Sequence, residues 1–135
     1  MSVTDQQLID RAKEVRAQAH CPYSGYSVGA AVLDDRGNVH LGCNVENASF
    51  PLGTCAEAGA ISSMVAAGGR RIAVIVAVGG RGALEACTPC GGCRQRIAEF
   101  ADDETRIVLL DADGKPVECT IAELLPDSFR FPGKE

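Results

Sequence analysis

No apolar run in the chain approaches the roughly 20 residues needed to cross a bilayer, so no membrane-spanning segment is predicted. Basic residues are not in excess either. Lys and Arg number 13 against 18 Asp and Glu, and the only local clusters are Arg70-Arg71 and Arg94 with Arg96. At a net charge of −5 a polynucleotide partner is disfavoured, because nucleic-acid binders present a basic face. The opening Met1-Ser2-Val3-Thr4-Asp5-Gln6-Gln7 is polar and acidic, unlike a secretory leader. Repeats and low-complexity segments are missing too. What remains has ordinary globular composition, and its 135 residues suit one domain over residues 1–135 with a real core. The expectation is a soluble cytoplasmic protein.

Cysteine is present in quantity. There are seven, at positions 21, 43, 55, 87, 90, 93 and 119, and an odd number without a secretion signal argues for metal ligation or plain burial over a disulfide framework. Cys21, Cys43 and Cys119 sit in apolar or strand-like contexts and read as small buried hydrophobes.

Periodicity divides the chain into alternating elements. Thr4 with Gln7 is a capping box, and Leu8, Ala12, Val15 and Ala19 form the apolar stripe of a helix ending near His20, before Pro22. Ser27–Leu33 and Val39–Val45 read as a hairpin around the turn at 34–38. A second helix starts at Cys55 and ends at Gly68-Gly69. Ile72–Val78 is a continuous β-branched run, predicting a strand buried on both faces. A third helix runs from Cys90 to Phe100, strands follow at Arg106–Leu110 and Pro116–Cys119, and the Thr120/Glu123 capping box opens a last short helix. Strands alternating with helices predict an α/β fold, a three-layer α/β/α sandwich around a mixed sheet of about five strands.

The chemistry gathers at two helix starts. Pro89-Cys90-Gly91-Gly92-Cys93 offers two soft donors, and Thr54-Cys55-Ala56-Glu57 offers a third with a carboxylate beside it. A helix N-terminus favours the thiolate form. If both helices point at one spot, Cys55, Cys90 and Cys93 fill three tetrahedral corners of a zinc ion and leave the fourth open, as a catalytic site requires. Glu57 then stands ready to move protons. Taken alone, Cys90-x-x-Cys93 reads as a redox pair or half of a structural zinc site, and Cys87, which could close such a site as a fourth thiolate, lies before Pro89 outside the helix and reads as a loop cysteine. Asn44 and Glu46 are loop polar residues singly, and together suit a sugar diol. Tyr26 is either core or a ring stacking on a planar base, and Phe129 is either core or an aromatic lid.

These residues carry a resemblance. Tyr23-Ser24 with Val28-Gly29-Ala30-Ala31, Gly42-Cys43-Asn44-Val45-Glu46-Asn47, Cys55-Ala56-Glu57, Pro89-Cys90-Gly91-Gly92-Cys93-Arg94-Gln95 and Glu123-Leu124-Leu125-Pro126 together resemble the small homotetrameric zinc-dependent cytidine deaminases, in order, from about Ala19 to Phe129. The wider zinc deaminase class carries His-x-Glu with Pro-Cys-x-x-Cys. Cys55 stands where that pattern has His, which is similar to the free-nucleoside branch. The resemblance implies one zinc per subunit on Cys55, Cys90 and Cys93, with Glu57 as proton shuttle. Water then replaces ammonia at C4 of cytidine or 2′-deoxycytidine, giving the uridine in pyrimidine salvage. It also implies that Asn44 and Glu46 hold the ribose, that Tyr26 and Ala56 line the nucleoside site, and that a neighbouring subunit supplies Phe129 to a site at the subunit contact. One departure stands out. Many members have Arg and Thr after Cys-Ala-Glu, where this chain has Ala58 and Gly59, so Arg94, Gln95 or backbone donors are expected to offset the thiolate charge instead. The same departure motivates an alternative substrate, a modified cytosine nucleoside such as an N4-substituted cytidine or a nucleoside antibiotic. A structural zinc or redox-dithiol domain is the non-enzymatic alternative.

Overall fold

Strand β3, Ile72–Gly80, is the axis of the molecule, and its β-branched run is buried almost from end to end. The computed structural model describes residues 2–133. Five strands form one sheet in the order β2-β1-β3-β4-β5, with β1 at Ser27–Asp34, β2 at Val39–Cys43, β4 at Arg106–Leu110 and β5 at Pro116–Cys119. β1 is antiparallel to both β2 and β3, so β2 and β3 run the same way. β3 and β4 pair in parallel, and β5 closes the edge antiparallel to β4. The mixed sheet of five strands is the expected one.

Helix α1, Asp5–Arg16, covers one face with Leu8, Ile9 and Ala12 against Ala31, Val76 and Val108. Helices α2 (Ala56–Ala66), α3 (Gly91–Phe100) and α4 (Ile121–Leu124) cover the other, where Met64, Ile97 and Ile121 meet Val32, Ile75 and Ile107. Both expected capping boxes form, at Thr4/Gln7 and at Thr120/Glu123.

The connections β2–α2–β3 and β3–α3–β4 each carry the chain between strands of the same direction. Such crossovers set the helix N-termini beside the carboxyl ends of the strands, where open α/β sheets place ligands. Backbone contact pins α2 there. A Cβ on Gly42 would lie 2.3 Å from the Ala56 carbonyl oxygen and 2.4 Å from the Ala60 nitrogen, so only glycine lets the first turn of α2 rest on β2.

Two boundaries differ from expectation for one reason. α1 stops at Arg16 instead of near His20, and β2 stops at Cys43 instead of Val45. The His20 N–H donates to the Asn44 carbonyl (3.0 Å), the Glu46 N–H donates to the His20 carbonyl (2.7 Å), and Val45 bridges Thr54. Backbone groups at the strand end thus pair with the segment after α1, which ends both elements early. Cys21, Cys43 and Cys119 are also half-buried rather than core. Cys43 and Cys119 lie on the edge strands β2 and β5, and Cys21 lies in a loop, so one side of each meets solvent. A 3-10 turn at Phe50–Leu52 interrupts the loop expected over 49–54. Among the described residues no helix is long and apolar enough to cross a membrane.

Candidate active site

Cys55 and Cys90 are the N-cap residues of α2 and α3, so each thiol stands at the open end of its helix. The two face each other, with Cys55 Sγ 3.9 Å from Cys90 Sγ. Cys93, one turn into α3 and fully buried, completes a cluster whose sulfurs all lie within 4.8 Å of one another. Three sulfurs at about 2.3 Å from a tetrahedral zinc stand roughly 3.8 Å apart, so the cluster is of zinc size.

The donor chemistry fits a dication as well. The Cys90 thiol is pulled down by the backbone N–H of Cys93, with Gly92 adding to it at the open end of α3. Burial pushes Cys55 up, and Cys90 and Glu57 add like charge. Burial and the charges of Glu57, Cys55 and Cys90 push Cys93 well above the usual thiol range. Three such thiols ionise together only around a cation.

Glu57 is 4% exposed, so its carboxyl is almost out of water. Burial pushes it up, against the opposing pull of its own backbone N–H, the Cys93 thiol and the charge of Arg96. A raised carboxyl exchanges protons nearer neutrality than a solvated one does.

The cluster opens on a cleft of about 550 Å³ lined by Tyr26, Asn44, Glu46, Cys55, Ala56, Glu57 and Cys90. Seven of the residues singled out in the sequence therefore meet at one place. Asn44 Nδ2 donates to the Tyr26 carbonyl (2.8 Å), and its Oδ1 accepts from Val28 N–H (2.8 Å), which staples β1 to the end of β2. Glu46 accepts from the backbone N–H of Tyr23 (3.0 Å) and Ser24 (3.1 Å) and from the Ser24 hydroxyl (2.5 Å), which holds its carboxyl below the usual range at the cleft rim. The early end of α1 makes this possible, because it brings the Tyr23-Ser24 turn to Glu46.

Other residues stand apart from the cleft. Arg94 donates to the carbonyls of Pro89 (2.9 Å) and Leu124 (2.8 Å), so it acts on Cys90 through the backbone just before it. Gln95 donates to the Phe129 carbonyl (3.2 Å) and ties down the C-terminal segment. The Phe129 ring is 70% exposed and lines a different cavity, between α3 and that segment.

Cys87, Val28, Phe50 and Thr54 also line the cleft. Cys87 is a loop cysteine, half-buried beside the Tyr26 ring. Burial and a hydrogen bond with Cys87 push the Tyr26 hydroxyl up to about 12. Val28 was legible, since it lies two positions after Tyr26 in extended chain at the start of β1, where alternate residues share a face. Phe50 carries no local signal, because a lone aromatic in a loop has no periodicity.

Two helix N-termini that converge thiols on a buried acid define a zinc-dependent deaminase centre. The model of the cytidine and deoxycytidylate deaminase zinc-binding region matches residues 2–109, and the chain belongs to that family. It is 39% identical over 125 residues to a cytidine deaminase of Sporosarcina psychrophila, covering 92% of this chain and 90% of the relative. It is 40% identical over 124 residues to one of Halalkalibacterium halodurans, covering 92% of each. The crystal structure of cytidine deaminase from Burkholderia pseudomallei superposes with a TM-score of 0.85 at 41% identity, over 94% of this chain and all of that one.

Proposed function

We propose that the chain deaminates cytidine and 2′-deoxycytidine, consuming one water and releasing ammonia and the corresponding uridine. The observation that carries this is the meeting of Cys55, Cys90, Cys93 and the buried Glu57 at one cleft. The cytidine deaminase relatives cover nearly the whole chain, and none favours the modified-nucleoside alternative.

Cys55, Cys90 and Cys93 hold one zinc per subunit, which supplies the Lewis acidity that makes water nucleophilic near neutral pH. Glu57 takes a proton and returns it toward the leaving nitrogen, a role its raised carboxyl suits. Asn44 and Glu46 face the ribose hydroxyls, their orientation set by the Val28, Tyr26, Tyr23 and Ser24 partners. Tyr26 and Ala56 border the base. Arg94 holds the Pro89 backbone ahead of Cys90, and Gln95 steadies the segment that bears Phe129.

The protein works as a homotetramer. Phe50 is exposed on the cleft with the Tyr23 ring against it, and Phe129 is exposed away from it, an arrangement suited to a neighbour's aromatic covering each site. Residues 1–135 make one domain of pyrimidine salvage, and seven free cysteines suit a reducing cytoplasm.

Following the loss of cytosine absorbance with zinc-loaded protein and cytidine tests this reading. Turnover with one zinc per subunit is the expected result, and zinc binding without turnover overturns it.

A further inference from the structure

The thiol cluster and Glu57 put up to four negative charges in one small volume, and the residues expected to offset them are occupied elsewhere. Arg94 spends its donors on the Pro89 and Leu124 carbonyls, and Gln95 reaches the Phe129 carbonyl. The next residue of α3 has a different outlook. Helical side chains lean back toward the N-terminus, so Arg96 lies over Gly92, one turn earlier. Arg96 Nη1 is 3.1 Å from the position a Gly92 Cβ would take, and Cys90 Sγ is 4.0 Å from that same point. Glycine at 92 is what leaves this approach open.

The space beside α2 agrees. A groove of about 540 Å³ between α2 and α3 is lined by Ala58, Arg96 and Glu99 among others, and Arg96 is the one cation on it among the described residues. At position 58, directly after Glu57, α2 presents only a methyl group. The charge of Arg96 also bears on Glu57.

We propose that Arg96 is a positioning residue of the metal centre. Its guanidinium, folded back over Gly92 beside the gap at Ala58, balances the anionic thiolates at the head of α3. The inference rests on Cys55, Cys90 and Cys93 holding zinc. It assigns to α3 a cation whose absence from position 58 of α2 would otherwise leave the cluster overcharged.

The test is zinc retention, read without turnover. Purified holoenzyme, R96Q and R96K are titrated with a chromophoric zinc chelator at fixed pH, in low and in high salt. R96Q is expected to release zinc at about 3- to 10-fold lower chelator concentration, the small end of losses from groups behind the ligands because Arg96 is exposed. R96K is expected to stay near wild type, and the gap is expected to shrink in high salt. Equal retention by wild type and R96Q in low salt overturns the proposal and leaves the zinc assignment standing. R96K as weak as R96Q, or a gap indifferent to salt, also overturns it, since packing rather than charge would then be at work. A wild type that takes up no zinc overturns this proposal and the zinc site together.

Discussion

Asp34 and Glu57 are both buried, at 1% and 4% exposure, and they sit at opposite ends of the sheet in opposite electrostatic states. Asp34 lies where β1 runs out. Burial pushes it up, but its hydrogen bonds outweigh that and hold it below the usual carboxylate range. They come from His40 Nε2 (2.8 Å) and the backbone N–H of Arg36 (2.9 Å) and Asn38 (3.0 Å). Glu57 lies at the start of α2 with far weaker compensation, and burial wins. A carboxylate surrounded by donors fixes a turn. One held out of water with few partners is poised to exchange a proton. Burial alone does not separate a structural acid from a catalytic one; the donor set does.

The contrast is broken most directly by removing each acid in turn. Glu57→Gln is expected to lower kcat on cytidine by about 10²–10⁴-fold while zinc content and thermal stability hold, since an amide keeps the shape without the proton transfer. Metal analysis, turnover and a melting curve on one preparation check this. Surviving turnover would place Glu57 with Asp34 as a structural group.

Asp34→Asn is expected to do the opposite. It replaces an acceptor of several donors with a group that is half donor, at a cost of about 2–3 kcal/mol of unfolding free energy. Urea denaturation measures that loss, and kcat is expected to stay within about twofold of wild type because the turn is remote from the cleft. A large fall in kcat at unchanged stability would dissolve the distinction.

Acid sharpens it further, by a smaller amount. The folded value of Asp34 is depressed, so its contribution is fully present above the ordinary aspartate value of 3.8 and is lost as pH falls through the lower folded value. The stability gap between wild type and Asp34→Asn should therefore be widest above about pH 5 and close as the solution is acidified below about pH 3. A gap independent of pH would mean that the hydrogen bonds at Asp34 do not depend on its charge.

The sequence by itself determined the elements and the chemistry available at their ends. The β-branched run at 72–78, both capping boxes, and the placement of Cys55 and Cys90 at helix starts follow from periodicity and local hydrogen bonding, which act within one turn of helix or one stretch of strand. Glu57 was legible for the same reason, being two residues from a cysteine at a helix N-terminus. The resemblance to a known family added the substrate and the ribose contacts, which no local pattern carries.

Only the tertiary structure decided what those residues are to one another. Cys55 and Cys90 are 35 positions apart, and their 3.9 Å separation depends on two crossovers and the strand order β2-β1-β3-β4-β5. The burial of Glu57 depends on α2 resting on Gly42. The early end of α1 came from pairing with a strand end some 25 residues further on, which helical periodicity does not register. Arg94, Gln95 and Arg96 are consecutive in the chain, yet α3 turns one toward the Pro89 and Leu124 carbonyls, one toward the tail and one toward the groove at Ala58. Side-chain type is written along the chain, but the distance between side chains is set by packing, and chemistry depends on distance.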